Sequence, residues 1–314
     1  MMDWTDRHCR YFMRLLSPGV HLYTEMLTAA ALCHGDAAAL LKFDQREHPV
    51  ALQLGGSDVS MMARAAKLGA DAGYDEININ IGCPSDRVQS GAFGACLMAK
   101  PQLVADCVAA AKEAVGIPVT VKTRIGIDDQ DSFAFLRDFI ATVSDAGCGT
   151  FIVHARKAIL SGLSPKDNRR IPPLNYARVY AVKKTFPELH IVLNGGVTTV
   201  EQCIDHLKIV DGVMIGREAY QHPWFLHELE QAIIADDPIG PLAREQLIED
   251  MYPYIEEQLR SGVPLNCITR HLFGLFAGQP GARAWRRYLS EHARQPGAGI
   301  EVLQRALGQL PQVA

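Results

Sequence analysis

A thiol at the end of an alternating run is the first place in this chain where residue type and spacing suggest chemistry. In Asp75-Glu-Ile-Asn-Ile-Asn-Ile-Gly-Cys-Pro-Ser85, Ile77, Ile79 and Ile81 share one face and Asn78 and Asn80 share the other. The run stops at Gly82 and presents Cys83, pinned by Pro84. Amide side chains cost free energy inside a protein unless something hydrogen-bonds them. A row of asparagines leading to a cysteine therefore points to a polar ligand beside a reactive sulfur. An inert buried cysteine next to satisfied asparagines would explain the same letters taken alone. The other β-like runs end in residues that extend the chemical reading. Val50-Ala-Leu-Gln-Leu54 offers the Gln53 amide, Val119-Thr-Val-Lys-Thr-Arg124 offers Lys122, and His154 follows Phe151-Ile-Val153. Val119 and Val121 share one strand face, so Thr120 and Lys122 share the other. Asn194-Gly195-Gly196 and Gly216-Arg217 close the last two runs, and such loops bind phosphate through backbone N–H groups that only glycine lets approach closely. Arg217 adds a planar cation suited to phosphate. Together these describe a pocket for a planar heterocycle with a phosphate tail. Flavin mononucleotide (FMN) fits, with Lys122 balancing charge on the reduced ring and Gln53 meeting its pyrimidine edge.

The elements that must position these groups alternate from His21 to about Ala235. Strands are predicted at His21–Met26, Val50–Leu54, Glu76–Ile81, Val119–Thr123, Thr150–Val153, Ile191–Leu193 and Gly212–Ile215. Helices are predicted at Asp6–Leu16, Val59–Ala70, Pro101–Val115, Asp131–Ala146, Tyr176–Phe186 and Thr199–Leu207. Such alternation implies parallel strands with helical crossovers. The expectation is an α/β fold, a (β/α)8 TIM barrel whose first strand is largely missing, with the polar strand ends gathered at one rim. An open doubly wound sheet is the rival, but the Gly-rich turn it usually carries after its first strand is missing here. Beyond a linker at Asp236–Pro241, the runs Asp250–Leu259, Asn266–Phe276 and Ala282–His292, and one helix between Pro296 and Ala314, read as all-helical. The expected domains are a catalytic barrel over 1–237 and a helical domain over 238–314.

Composition narrows the class. The 314 residues are 48% hydrophobic and 21% charged, ordinary for a globular protein, and the net charge of −4 restricts any nucleic-acid contact to a local basic patch. The eight cysteines form no CxxC pair and no zinc-type spacing, which predicts free thiols and no metal. The polar start and the lack of any apolar run near ~20 residues predict a cytoplasmic protein with no membrane partner.

Asn78-Ile-Asn-Ile-Gly-Cys-Pro-Ser85 with Gly91-Ala-Phe-Gly-Ala-Cys-Leu-Met98, then Val-Lys-Thr-Arg, Ile-Val-His-Ala-Arg, Asn-Gly-Gly and Gly-Arg, resembles the tRNA-dihydrouridine synthases over essentially the whole chain. Ser161-Gly-Leu-Ser-Pro-Lys-Asp-Asn-Arg169, Met251-Tyr-Pro-Tyr254 and Gly281-Ala-Arg-Ala-Trp-Arg-Arg-Tyr-Leu289 are similar to the synthase A subfamily. The resemblance implies an FMN-dependent oxidoreductase, driven by NADPH or NADH, that reduces uridine to dihydrouridine at positions 20 and 20a of the tRNA D-loop. By matched motif it implies FMN held by Gln53, Lys122, His154, Asn194, Gly195, Gly196, Gly216 and Arg217. Cys83 is the implied proton donor, Asn80 the contact to the uracil, and Lys166, Arg169, Arg283 and Arg286 the implied tRNA contacts. The family opens with a strand ending Ala-Pro-Met whose backbone touches the flavin, and Met1 and Met2 stand in that place here. A monomer is expected.

The reaction needs hydride at uracil C6 and a proton at C5. Cysteine thiols are mostly protonated near neutral pH, so Cys83 can serve as the acid without large tuning. Cys96, entering a helix, competes for the role and is expected to be buried. Arg270, Arg283, Arg286, Arg287 and Arg294 with His271 and His292 face one acid, Glu291, between 270 and 294; Arg283, Arg286 and Arg287 fall on one helical face. Trp285 and Tyr288 beside them are expected to pack the core. Two alternatives stand beside the tRNA reading: a small-molecule FMN oxidoreductase of the ene-reductase or dihydroorotate-dehydrogenase type, and an inactive RNA-binding scaffold.

Overall fold

The structure, a computed structural model, describes residues 1–85, 91, 93–235 and 242–311. Seven strands form one sheet in strict chain order: β1 (Leu22–Thr28), β2 (Val50–Gly55), β3 (Glu76–Ile81), β4 (Val119–Arg124), β5 (Thr150–His154), β6 (His190–Asn194) and β7 (Gly212–Met214). Each neighbouring pair from β2 to β7 runs parallel, with helices between successive strands. That sequential order is the one a (β/α)8 barrel uses, and it excludes the doubly wound alternative, whose order reverses at a switch point. All seven predicted strands are present, with ends shifted by no more than two residues.

Helix boundaries follow from side chains that satisfy the first backbone N–H groups. Asp58 accepts from Met61 N, Ser132 from Phe135 N, Asn175 from Arg178 N and Thr199 from Gln202 N, opening the helices Val59–Asp71, Phe133–Asp145, Tyr176–Thr185 and Val200–Leu207. Pro101 opens the helix Pro101–Ala114, where its missing N–H costs nothing. The isoleucine face of β3 packs outward: a Cβ placed on Gly69 of the helix Val59–Asp71 would lie 2.9 Å from Ile77 Cδ1. Ile77, Ile79, Val121, Phe151 and Ile191 have no exposed surface.

The chain divides into two compact units: Met1, Tyr23–Phe43 and His48–Gly216 in one, and Met2–Leu22, Asp44–Glu47 and Arg217–Ala314 in the other. The predicted linker at Asp236–Pro241, and with it the 237/238 boundary, lies outside the described residues. In the second unit, Asp6 caps the helix Arg7–Leu16 by accepting from His8 N and Cys9 N, each at 3.0 Å, and also pairs with Arg270 and His271. Two helical expectations need correction there. The helix expected at Asp250–Leu259 starts two residues later, as Tyr252–Arg260, with Pro253 in its first turn, and a separate helix, Arg244–Asp250, precedes it. Asn266–Phe276 is helical only over Leu265–Thr269. Gly274 beyond it lies so close to Gln221 that a Cβ there would come within 2.3 Å of the Gln221 carbonyl oxygen, and the segment runs on in i→i+3 turns. Trp285, on Ala282–His292, is fully buried and donates from Nε1 to Leu272 O at 3.2 Å. Tyr288 is half-exposed and stacks on His292 with centroids 4.0 Å apart, so it is not core. Among the described residues, no helix is long and apolar enough to cross a membrane.

Candidate functional site

Parallel register places equivalent positions of neighbouring strands side by side: Gln53 beside Asn78, Asn78 beside Thr120, Asn80 beside Lys122, Arg124 beside His154, and His154 beside Asn194. The asparagine face of β3 is therefore continuous with Gln53, with Thr120 and Lys122, and with the ends of β5 and β6. A hydrogen-bond chain runs across its floor. Asn80 Nδ2 donates to Gln53 Oε1 at 2.7 Å, Gln53 Nε2 to Asn78 Oδ1 at 2.9 Å, Asn78 Nδ2 to Thr120 Oγ1 at 2.8 Å, and Thr120 Oγ1 to Glu76 Oε1 at 2.6 Å. Asn78 is fully buried, and burial pushes the Glu76 carboxyl up against the lowering effect of its Thr120 and Tyr23 hydrogen bonds. This network answers the cost of burying so many amides.

The thiol sits where β3 ends. Asn80 Oδ1 accepts from both Gly82 N and Cys83 N at 3.0 Å, a local turn that fixes the Cys83 backbone. The Cys83 carbonyl accepts from Ala95 N at 2.9 Å, its Sγ lies 3.5 Å from Ser85 Oγ, and the residue is half-exposed. Cys96 is also half-exposed, not buried as expected, because its short 3-10 turn Gly94–Ala99 leaves one side open. Its Sγ is turned back onto Phe93 O at 3.2 Å, and burial raises its pKa.

Lys122 Nζ reaches over β5 to donate to Asn194 Oδ1 at 3.0 Å, and Asn194 Nδ2 donates to Met214 O at 2.8 Å. Burial, with the nearby Arg124 charge, lowers the Lys122 pKa to about 8. No carboxylate pairs with this ammonium among the described residues. Gly195 takes φ +115° and packs under His154: a Cβ there would meet His154 Cδ2 at 2.5 Å and Nε2 at 2.8 Å. Tyr176 Oη donates to Gly195 O at 2.9 Å and fixes this loop. Met1 Sδ lies 3.9 Å from the position a Gly216 Cβ would take, whereas Met2 is largely exposed.

These residues fit a flavin on two observations. A half-buried lysine whose hydrogen bond among the described residues goes to an amide oxygen, with no carboxylate beside it, is matched to an anionic ring edge. The buried Glu25 Oε1, at the middle of β1, has no hydrogen-bond partner among the described residues, so a ligand N–H or O–H is what would satisfy it. Gln53, expected at the pyrimidine edge, spends its carbonyl on Asn80 and one amide hydrogen on Asn78. Asn80, expected on the uracil, has its carbonyl committed to the Cys83 turn.

Of the implied tRNA contacts, Lys166 and Arg169 are exposed on the loop after β5, and Arg283 and Arg286 are exposed on Ala282–His292. Arg286 lines a groove of about 470 Å3 with Trp4, Tyr220, Arg270 and Phe273, and Trp4 stacks on Tyr220 at 4.4 Å. Arg124, Asn168, Tyr176 and Glu25 carry no site role in the sequence reading. Arg124 alone had a usable signal, since it continues the Thr120–Lys122 alternation. Among the described residues, no cluster of three His, Cys, Asp or Glu could hold a metal.

A family model described as dihydrouridine synthase matches residues 1–310. A tRNA-dihydrouridine(20/20a) synthase of Vibrio vulnificus (strain CMCP6) is 60% identical over 314 residues, covering 99% of this chain and 95% of its own. Proteins with the same name from Shewanella oneidensis and Escherichia coli (strain K12) are 60% and 59% identical, covering 98% of this chain and 91% and 89% of theirs.

Proposed function

This chain belongs to the dihydrouridine synthase family, and on that premise we propose that it reduces uridine to 5,6-dihydrouridine at positions 20 and 20a of tRNA, with FMN as cofactor and NADPH (or NADH) as electron donor. The observation that carries the reading is the half-exposed Cys83 thiol just beyond β3, held on a turn by Asn80, the residue whose strand position pairs with Lys122 of β4. FMN, when bound, supplies the hydride that goes to uracil C6. Cys83 gives its Sγ proton to C5, which completes saturation of the C5=C6 bond and leaves a thiolate to be reprotonated from solvent. Lys122 places a cation beside the ring edge that gains negative charge. Gly195 and Gly196 offer backbone N–H groups to the phosphate, with Gly216 and Arg217. The target base must leave the RNA stack to reach the thiol. Lys166, Arg169, Arg283 and Arg286 hold the surrounding phosphates meanwhile. The barrel serves as the FMN-binding domain and the helices after residue 237 as the tRNA-binding domain, in a monomer.

The direct test supplies purified, flavin-loaded protein and NADPH to an unmodified tRNA transcript and maps dihydrouridine by position. Product at positions 20 and 20a is expected. A protein whose flavin is reduced by NADPH but which leaves every uridine unchanged refutes the assignment.

A further inference from the structure

Arg124 is only 4% exposed, and no carboxylate pairs with it among the described residues. Burial pushes its pKa down to about 10, so keeping this cation inside is costly and calls for a compensating structure. The compensation is three backbone carbonyls from two segments. Nε donates to Gly82 O at 3.0 Å, and Nη1 donates to Asn168 O at 3.0 Å and to Lys157 O at 3.2 Å. Gly82 immediately precedes the Cys83 thiol, while Lys157 opens the loop that carries Lys166, and Asn168 lies directly before Arg169.

That loop is held as one piece from inside. Asn168 has no exposed surface; its Oδ1 accepts from Ile159 N at 2.7 Å, and its Nδ2 donates to Ile159 O at 2.9 Å and Leu163 O at 3.2 Å. Lys157 Nζ also donates to Asp128 O at 2.9 Å, and Leu160 N donates to Asp128 Oδ1 at 2.8 Å. The loop is stiff on its own account, so the Arg124 fork adds connection more than rigidity. It joins the loop to the turn whose other side Asn80 already holds. A planar guanidinium can serve three carbonyls in fixed directions, which an ammonium on a flexible stem cannot.

We propose that Arg124 is a positioning residue that sets the Cys83 turn in register with the loop bearing Lys166 and Arg169. The uracil then arrives over the thiol at a fixed distance. The inference rests on the reading of Cys83 as the acid, and it adds a physical link between proton delivery and the surface that takes the RNA. Proton transfer is steeply sensitive to placement, and displacing a reacting group by about 1 Å can cost on the order of 10²-fold.

The test has two arms. In the first, Arg124→Lys is loaded with flavin, reduced, and mixed rapidly with saturating unmodified tRNA, and flavin re-oxidation is read per mole of bound flavin. The expected result is a loss on the order of 10–100-fold with less than a threefold change in tRNA Kd. A lysine that restores the wild-type rate, or a loss lying wholly in Kd, overturns the proposal. The second arm uses no tRNA and does not touch Arg124. Asn168→Ala is treated with iodoacetamide, and Cys83 labelling is followed by peptide mass spectrometry with Cys96 as the internal reference. Loosening the far loop is expected to change the Cys83 rate at least threefold relative to Cys96. An unchanged ratio overturns the link even if Arg124→Lys fails to fold. If tRNA never re-oxidises the wild-type flavin, the functional reading has failed, while the labelling arm still decides the link.

Discussion

Replacing Asn80 should damage the site more than its single amide suggests, because three hydrogen bonds converge on it. Its Oδ1 serves Gly82 N and Cys83 N, and its Nδ2 serves Gln53 Oε1. Asn80→Ala removes all three and leaves two backbone donors and one amide oxygen to find new partners. At about 0.5–1.5 kcal/mol per bond, the expected cost is roughly 2–4 kcal/mol. For a unit of this size each kcal/mol lowers the melting temperature by about 2–4 °C, so a fall of roughly 4–16 °C should follow. Asn80→Asp keeps the oxygen that accepts from Gly82 N and Cys83 N and loses the donor to Gln53. It should therefore cost less than half as much in stability while keeping the thiol in place. The assay is a thermal melt of each variant, paired with iodoacetamide labelling of Cys83. If Asn80→Ala melts with the wild type and labels at the wild-type rate, the turn does not depend on this side chain. If Asn80→Asp melts as low as Asn80→Ala, the bond that both variants lose, the one to Gln53, is the one that matters.

Three further outcomes follow from the same geometry. Lys122 is cationic below about pH 8 in the free site, so FMN affinity should fall as pH rises from 7 to 9.5; Lys122→Met should bind FMN weakly with a flatter profile, as fluorescence titration at several pH values would report. Gly195→Ala forces a Cβ against His154 and strains a backbone at φ +115°, so it should cost about 2–5 kcal/mol and strip flavin from the purified protein, both visible in a melt and an absorbance spectrum. Arg283→Ala and Arg286→Ala should each weaken tRNA binding and reduce the slope of log K against log salt by about one, measured at several salt concentrations.

The parts of the site legible in the sequence are those where period and position carry the information. Alternation in Ile77–Ile81 separated the helix-packed isoleucines from the polar face, and Thr120–Lys122 assigned the inner face of β4 in the same way. What stayed hidden depends on register, which a single strand does not contain. Gln53 and Asn80 look alike whether they await a ligand or hold each other, and only the pairing of β2 with β3 shows that they hold each other. Arg124 reads as a strand-end cation until the carbonyls around it are known, since backbone acceptors leave no mark in sequence. Asn266–Phe276 has helical composition through most of its length, yet the helix stops at Thr269, and the close approach of Gly274 to Gln221 beyond it is a long-range contact that the sequence does not contain. Tyr288 shared the apolar look of Trp285, yet the helix turns it to the half-exposed side against His292.

The central claim is that Cys83 delivers the proton while the flavin delivers the hydride, and the two half-reactions can be separated. Cys83→Ala should still bind flavin and accept electrons from NADPH, since neither step uses the thiol. Its reduced flavin, mixed rapidly with unmodified tRNA, should return to the oxidised band on the order of 10²–10⁴-fold more slowly than wild type. Cys96→Ala should lose far less, because its Sγ is turned onto Phe93 O. Re-oxidation at the wild-type rate in Cys83→Ala, or a collapse confined to Cys96→Ala, would contradict the account.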